Sequence, residues 1–294
     1  MVGESKMARC FIQIAGGIGN VIQSVPFIKE CRKYFDEVYG LYTRQDFTPN
    51  LFGAIKPLII DLFDDILDRP IPSSETYFST PIEQPVRGTF DTWDEPEYAK
   101  WFTAWNLPKP NVYDTKLNWT SGLHQKHNVV VWAGCKPIWK SKRWPHWGEL
   151  CERYKDVAIV GFPDEGENIP PEVTDYRGII SLQDTASIIS QCNMYIGNEG
   201  GTSHLAAAVG ARTYIIYGAS DHKKNFPPPR DHLYRIALNL PCQPCQFVPD
   251  RGFSAGEGCP ELSCLKYLTV DMVEAYIDKS FQSYSTPRDK HIQI

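Results

Sequence analysis

From Cys10 to Ala15 the chain runs CFIQIA, a short apolar stretch that stops at Gly16-Gly17-Ile18-Gly19, after which Val21, Ile22, Val25 and Ile28 recur at helical spacing. That order predicts a strand, a glycine turn and a helix. EVYGLY at Glu37 to Tyr42 reads as a second strand, and PLII at Pro57 to Ile60 as the start of a third, so the opening is an α/β half on a parallel sheet. Between Pro70 and Asn118 no period is sustained among the Pro, Trp, Tyr and acidic residues, which predicts loops and short helices. At Asn128 the pattern restarts. VVVW (Val129 to Trp132), VAIV (Val157 to Val160), MYI (Met194 to Ile196) and TYIIY (Thr213 to Tyr217) have the apolar continuity of buried strands. Helical stretches are expected at about Asp184 to Gln191, His204 to Val209 and Val270 to Tyr284. There is no internal repeat. The expected division is 1–125 and 126–270, two α/β halves, with 271–294 as a helix returning toward the first.

A chain of 294 residues exceeds what one hydrophobic core usually organises, which agrees with two halves. A net charge of -5 and a pI near 5.8 give no global basic field, so capture by nucleic acid or an anionic membrane is not implied. No apolar run approaches the roughly 18 to 20 residues of a membrane span, and MVGESKMARC lacks the apolar core of a signal peptide. A cytoplasmic protein is expected, its oligomeric state not set by anything in the sequence. Of nine cysteines, Cys10, Cys31, Cys135, Cys151 and Cys192 are scattered through predicted elements and read as buried thiols.

Four motifs carry candidate chemistry. Gly17 and Gly19, between strand and helix, let backbone approach a ligand and present N–H groups at a helix start. The spacing is not G-x-G-x-x-G, which argues against a dinucleotide, and a tight turn without ligand stands as the plain alternative. Lys142-Arg143-Trp144-Pro145 follows a strand of the second half, where cations of open α/β sheets neutralise phosphate; the alternative is a solvated basic loop. Asn198-Glu199-Gly200-Gly201-Thr202-Ser203-His204 lies between a strand and a helix, and its successive N–H groups make an anion cradle for a diphosphate. His204 is either a contact to phosphate or sugar oxygen or a satisfied structural histidine. Cys242, Cys245, Cys259 and Cys264 form two thiol pairs in a Pro- and Gly-rich stretch, a pattern that suits a structural metal, with free thiols and disulfides as the other readings.

Taken in order, these pieces resemble the heptosyltransferase family, glycosyltransferase family nine. Gly19-Asn20-Val21-Ile22-Gln23-Ser24-Val25-Pro26 looks like that family's Gly-Asp-x-x-x-x-x-Pro element, Lys142-Arg143-Trp144-Pro145 like its Lys-x-Trp-Pro, and Asn198 to Gly210 like its Asn-Asp-x-Gly-x-x-His-Leu-Ala-Ala-Ala-x-Gly. The resemblance implies a GT-B fold, two Rossmann-like domains with parallel sheets facing across a cleft, the acceptor on the N-terminal side and the donor on the C-terminal side. It implies inverting, metal-independent transfer of a sugar, a heptose among the candidates, from a nucleotide-diphosphate sugar, ADP-linked donors favoured, to a saccharide or other hydroxyl acceptor. Carried over by position, Lys142 would neutralise the diphosphate, Gly200, Gly201, Thr202 and Ser203 would cradle it, His204 would contact the donor, and Glu165 would reach the ribose. Family members with a similar tetracysteine cluster hold zinc or iron there.

Two positions depart from the family. Its catalytic base is the aspartate where this chain has Asn20, which accepts no proton at neutral pH, and Glu199 replaces the later aspartate. Either another carboxylate supplies the base, with Asp91, Asp94 and Glu95 as candidates, or the donor and acceptor differ from the family's usual pair. Two other readings stay open: a nucleotide-sugar or glycan-binding module that has lost catalysis, and a sugar-nucleotide epimerase or hydrolase that needs no acceptor.

Overall fold

A computed structural model describes residues 7–14, 16–42, 51–67, 77–79, 95–136, 139–246 and 259–282. The first half contains β1 (Met7–Ile14), α1 (Ile18–Cys31), β2 (Phe35–Tyr42), α2 (Leu51–Ile59), β3 (Asp65–Leu67), β4 (Tyr77–Ser79) and α3 (Glu97–Ala104). Its sheet has the order β3-β2-β1-β4, every pair parallel. The second half contains β5 (Val129–Trp132), α4 (Trp147–Arg153), β6 (Val157–Ile159), β7 (Thr174–Asp175), α5 (Leu182–Gln191), β8 (Met194–Asn198), α6 (Gly201–Ala208), β9 (Thr213–Ile216), α7 (His222–Asn225), β10 (Leu233–Ile236), α8 (Ser263–Lys266) and α9 (Val270–Gln282). These strands form a six-stranded parallel sheet in the order β10-β9-β8-β5-β6-β7. The fold is the expected GT-B arrangement. Among the described residues, no helix is long and apolar enough to cross a membrane.

Every residue of β5, β8 and β9 is buried, which is why the central strands read as unbroken apolar runs. At the sheet edge β10 buries only Leu233 and Ile236, and β7 buries neither of its residues, so both edges carried too little apolar signal to be expected. The strand expected at Pro57 to Ile60 is a correction: those residues end α2 and turn into a 3₁₀ segment, and β3 begins five residues later at Asp65. Ile55, Leu58 and Ile59 are at most 2% exposed, so the burial follows helical spacing of three and four.

One apolar core joins the halves. Val21, Ile22 and Val25 of α1 and Ile55 and Leu58 of α2 share it with Ala186 of α5 and Leu205 and Ala208 of α6. The second sheet's other core takes Trp144, Trp147, Ile216, Val273 and Ile277 together. Over its described length α9 packs on the second sheet, with the Tyr214 and Ser280 hydroxyls bonded at 2.6 Å.

Candidate functional site

In the second sheet the chain runs outward from β5 through β6 to β7, then returns to β8 on the other side of β5 and runs outward to β10. The loops after β5 and β8 diverge, and such a switch point is where open parallel sheets bind ligands, at their carboxyl ends. Asn198, the last residue of β8 and fully buried, fixes the crevice floor. Its Nδ2 donates to the carbonyls of Ala133 and Gly134 (2.9 and 3.1 Å), and its Oδ1 accepts from the Trp144 N–H at 3.3 Å. One amide thus ties together the β5 loop, the β8 loop and the basic segment. Trp144 is pinned again by its indole N–H, 2.7 Å from the Leu268 carbonyl, so the basic loop is anchored, as its Trp-Pro pair suggests.

Anchoring that loop places Lys142 Nζ 2.5 Å from Glu199 Oε2, with side chains only 11% and 5% exposed. The ammonium also lies 5.2 Å from the Trp139 ring centroid. Burial is the largest single effect and pushes the Glu199 carboxyl up, but the Lys142 charge and hydrogen bond, with the Ser220 hydroxyl and His204, together outweigh it and hold the group below its ordinary range. His204, on the first turns of α6, feels both partners; burial is the larger effect and, with Lys142, pushes it down to about 4 against the pull of Glu199. The imidazole is neutral at pH 7, and its buried Nδ1 has no hydrogen-bond partner.

Helix α6 begins at this cluster, and its first N–H groups have no partner within the helix. Gly200 precedes it against the Trp132 ring, where a Cβ would sit 2.6 Å from the indole. Gly19 and Gly201 take on packing work beyond that expected of them. A Cβ on Gly19 would lie 2.9 Å from His204 Cδ2, and one on Gly201 would lie 3.0 Å from the Ile18 Cβ, so the starts of α1 and α6 meet here through bare backbone. A Cβ on Gly17 would stand 3.5 Å from Lys136 Nζ, which reaches across from the second half. Gly16, at φ +88°, turns the chain into α1 with the Asn20 amide folded over it. Asn20, His204, Glu199 and Lys142 therefore converge on the junction of the two halves.

Glu165 lies on the far side of the β5 loop, and its carboxylate is engaged internally. Oε2 accepts from Trp132 Nε1 and from the Phe162 N–H, both at 2.9 Å, and burial pushes the group above its ordinary range. The Ser203 hydroxyl also faces inward, donating to the Asn198 carbonyl at 2.6 Å, which leaves its backbone N–H for a ligand. Of the candidate bases, Glu95 is occupied by Lys109 and Thr103 at the surface, and Asp91 and Asp94 lie outside the described residues. Cys242, Cys245, Cys259 and Cys264 are not joined in disulfides, and among the described residues no three His, Cys, Asp or Glu side chains are grouped to hold a metal ion. Burial, with Cys245, Cys259 and Cys242 nearby, pushes the Cys264 thiol up to about 12.

Sequence reasoning missed the scaffold of the site. Asn198 stood inside a recognised motif and Trp132 ended a recognised strand, yet a hydrogen bond between distant loops leaves no trace in spacing. Tyr217, Ser220 and Gln246, buried polar residues on segments beside the same cluster, carried no functional signal.

A sequence model of glycosyltransferase family 9 (heptosyltransferase) matches residues 89–251, just over half the chain. No curated protein sequence matches it. Among solved structures, the chain is similar in fold to the iron-containing dodecameric glycosyltransferase TibC from enterotoxigenic E. coli H10407, at 15% identity and a TM-score of 0.67 over 95% of this chain and 77% of that one. It is similar to the E. coli ADP-heptose lps heptosyltransferase II at 14% identity and 0.58, over 95% and 100% of the two chains. A family 9 glycosyl transferase from Veillonella parvula DSM 2008 aligns at 12% identity and 0.57, over 79% and 86%. With the family motifs gathered at one crevice of a GT-B fold, the chain belongs to glycosyltransferase family 9 and is a glycosyltransferase.

Proposed function

We propose that this enzyme moves a sugar, a heptose from an ADP-linked donor being the favoured case, to a hydroxyl acceptor with inversion and with no metal at the reacting centre. The observation that carries the reading is the buried Lys142–Glu199 pair set beside the start of α6 at the switch point of the second sheet. TibC has been solved with ADP-D-β-D-heptose, which supports the same class of donor here. The α6 N–H groups of Gly201, Thr202 and Ser203 and the Lys142 ammonium would bind the diphosphate and stabilise its charge as it departs. The division of labour has 1–125 carrying the acceptor and 126–270 the donor.

Transfer forms a bond from the acceptor oxygen to the anomeric carbon and breaks that carbon's bond to the diphosphate, which leaves with the electron pair. The acceptor proton needs a base that Asn20 does not supply. His204 is the group placed to take it: it is neutral, it abuts Gly19 of the first half, and its conjugate acid ionises near 4, which makes it as basic as an ordinary aspartate at about 3.9. Glu199 would steady the imidazolium, and Asn20 would orient the hydroxyl. Transfer assays with ADP-heptose and saccharide acceptors test this. His204→Gln is expected to abolish transfer while donor binding persists; release of nucleoside diphosphate that needs no acceptor would favour the hydrolase reading, and binding without turnover in the wild type the binding-module reading.

For the thiols, the donor set suits one structural zinc or iron at Cys242, Cys245, Cys259 and Cys264, since a buried thiol with three thiol neighbours ionises readily only against a cation. The described positions do not by themselves group for an ion, so loading would draw the arms together. Four thiolates leave no open coordination position, and no chemical step is assigned to the ion.

A further inference from the structure

β8 and β9 are neighbours, and their chains leave the sheet side by side: Asn198 pairs with Ile216, and the Glu199 N–H bonds to the Ile216 carbonyl at 3.0 Å. The turn at 217–220 therefore stands next to Glu199. A third segment is pinned against it, because the N–H groups of Cys245 and Gln246 both donate to the Ala219 carbonyl (3.0 and 2.9 Å) and Gln243 Nε2 donates to the Gly218 carbonyl at 2.6 Å. These contacts set side by side the segments that carry Tyr217, Ser220 and Gln246, which are 1%, 4% and 9% exposed. The Tyr217 hydroxyl and Gln246 Oε1 have no hydrogen-bond partner, although buried polar groups of native proteins nearly always do, and the Ser220 hydroxyl has the Glu199 carboxylate beside it. Of the charges that act on Tyr217, Glu199 has the largest effect, raising its hydroxyl pKa further after burial has done most of that work.

We propose that Tyr217, Ser220 and Gln246 form the wall that receives the sugar of the donor and so decide which sugar is accepted, an inference that rests on the donor reading above. The chemistry sorts the ligand's two parts. A phosphate needs donors and positive charge, which lie on the Lys142 and α6 side. The opposite side offers a carboxylate, an amide oxygen and two hydroxyls, which suit an uncharged group rich in hydroxyls that both donate and accept. An apolar ligand would leave the Tyr217 hydroxyl and Gln246 Oε1 unpaired and is excluded on the same ground.

The test uses Tyr217→Phe, Ser220→Ala and Gln246→Leu in the full chain, with calorimetric Kd values for ADP and for ADP-D-β-D-heptose, after a panel of ADP-, GDP-, UDP- and dTDP-sugars has shown which class the wild type binds. If another class binds, its nucleoside diphosphate and sugar conjugate replace the pair. Each variant is expected to bind the nucleoside diphosphate within about twofold of the wild type and the sugar conjugate about tenfold more weakly, the weight of one hydrogen bond. For Tyr217→Phe and Gln246→Leu the unliganded melting temperature is expected to hold or rise, since an unpaired polar atom has been removed from the interior. Equal losses for both ligands, no loss for either, or a lowered melting temperature in unliganded Tyr217→Phe or Gln246→Leu would each overturn the sugar-wall assignment while leaving the donor site standing. A wild type that binds no member of the panel overturns the donor reading itself.

Discussion

Replacing Lys142 by Met tests the charged heart of the site. The ammonium lies 2.5 Å from Glu199, and the two side chains are 11% and 5% exposed, so this pair belongs with buried rather than surface ion pairs. Removing one member of a buried pair typically costs about 3–5 kcal/mol, because the remaining charge is stranded. Lys142→Met strands the more buried carboxylate and is expected near that range. Glu199→Gln strands an ammonium that still has the Trp139 ring at 5.2 Å and some access to water, so about 1–2 kcal/mol is expected. The double variant strands neither, and the coupling between the two sites is expected at about 2–3 kcal/mol. The effect has a signed pH dependence. In the wild type, Glu199 ionises below its ordinary value, so its contribution is present above about 4.5 and is lost as pH falls. In Lys142→Met, burial is opposed only by the smaller effects of Ser220 and His204 and raises that carboxyl, so its penalty shrinks as pH falls toward 5. The gap between the two proteins therefore narrows from both sides on acidification. Urea unfolding of the four proteins at pH 7 and pH 5 measures it. Additive single effects with a gap independent of pH would refute the reasoning.

The buried His204 makes the protein acid-sensitive: its folded value of about 4 lies below the ordinary 6.5, so the unfolded chain binds the extra proton and stability falls as pH drops from 6.5 to 4, by on the order of 3 kcal/mol, a slope that His204→Gln should remove in denaturation curves. Asn198→Ala deletes three buried hydrogen bonds and strands the carbonyls of Ala133 and Gly134, which should cost roughly 3 kcal/mol in urea unfolding and weaken donor binding by loosening the Lys142 loop. Gly19→Ala sets a methyl 2.9 Å from His204 Cδ2 and should destabilise by about 1–3 kcal/mol, whereas an alanine at Gly53, which has open space around it, should be neutral or mildly stabilising. Elemental analysis of protein purified without chelator should find about one zinc or iron per chain, lost in Cys264→Ser; finding no metal removes the structural-ion proposal.

How far the sequence could be read follows from where physical signals are local. β1 with its glycine turn, β5, β8 and the start of α6 were legible because buried parallel strands are continuous apolar runs and strand-to-helix junctions need glycine and hydroxyl residues. PLII was misread because four apolar residues carry no period; only the buried spacing of Ile55, Leu58 and Ile59 shows the helix. Lys142, Glu199 and His204 were legible as members of motifs. Their pairing was not, since it depends on Asn198 and Trp144 fixing one loop beside another. The same limit hid the glycine contacts of α1 with α6 and the convergence of Tyr217, Ser220 and Gln246, which are tertiary juxtapositions of unremarkable local sequence.

The central claim is that a nucleotide-sugar donor is held by Lys142 at the start of α6, and calorimetric titration of wild type and Lys142→Ala with ADP-, GDP-, UDP- and dTDP-sugars tests it most directly. One nucleotide class is expected to bind the wild type and to bind Lys142→Ala at least tenfold more weakly, the loss of one charge-assisted contact. A wild type that binds no donor, or a variant that binds as tightly as the wild type, would contradict it.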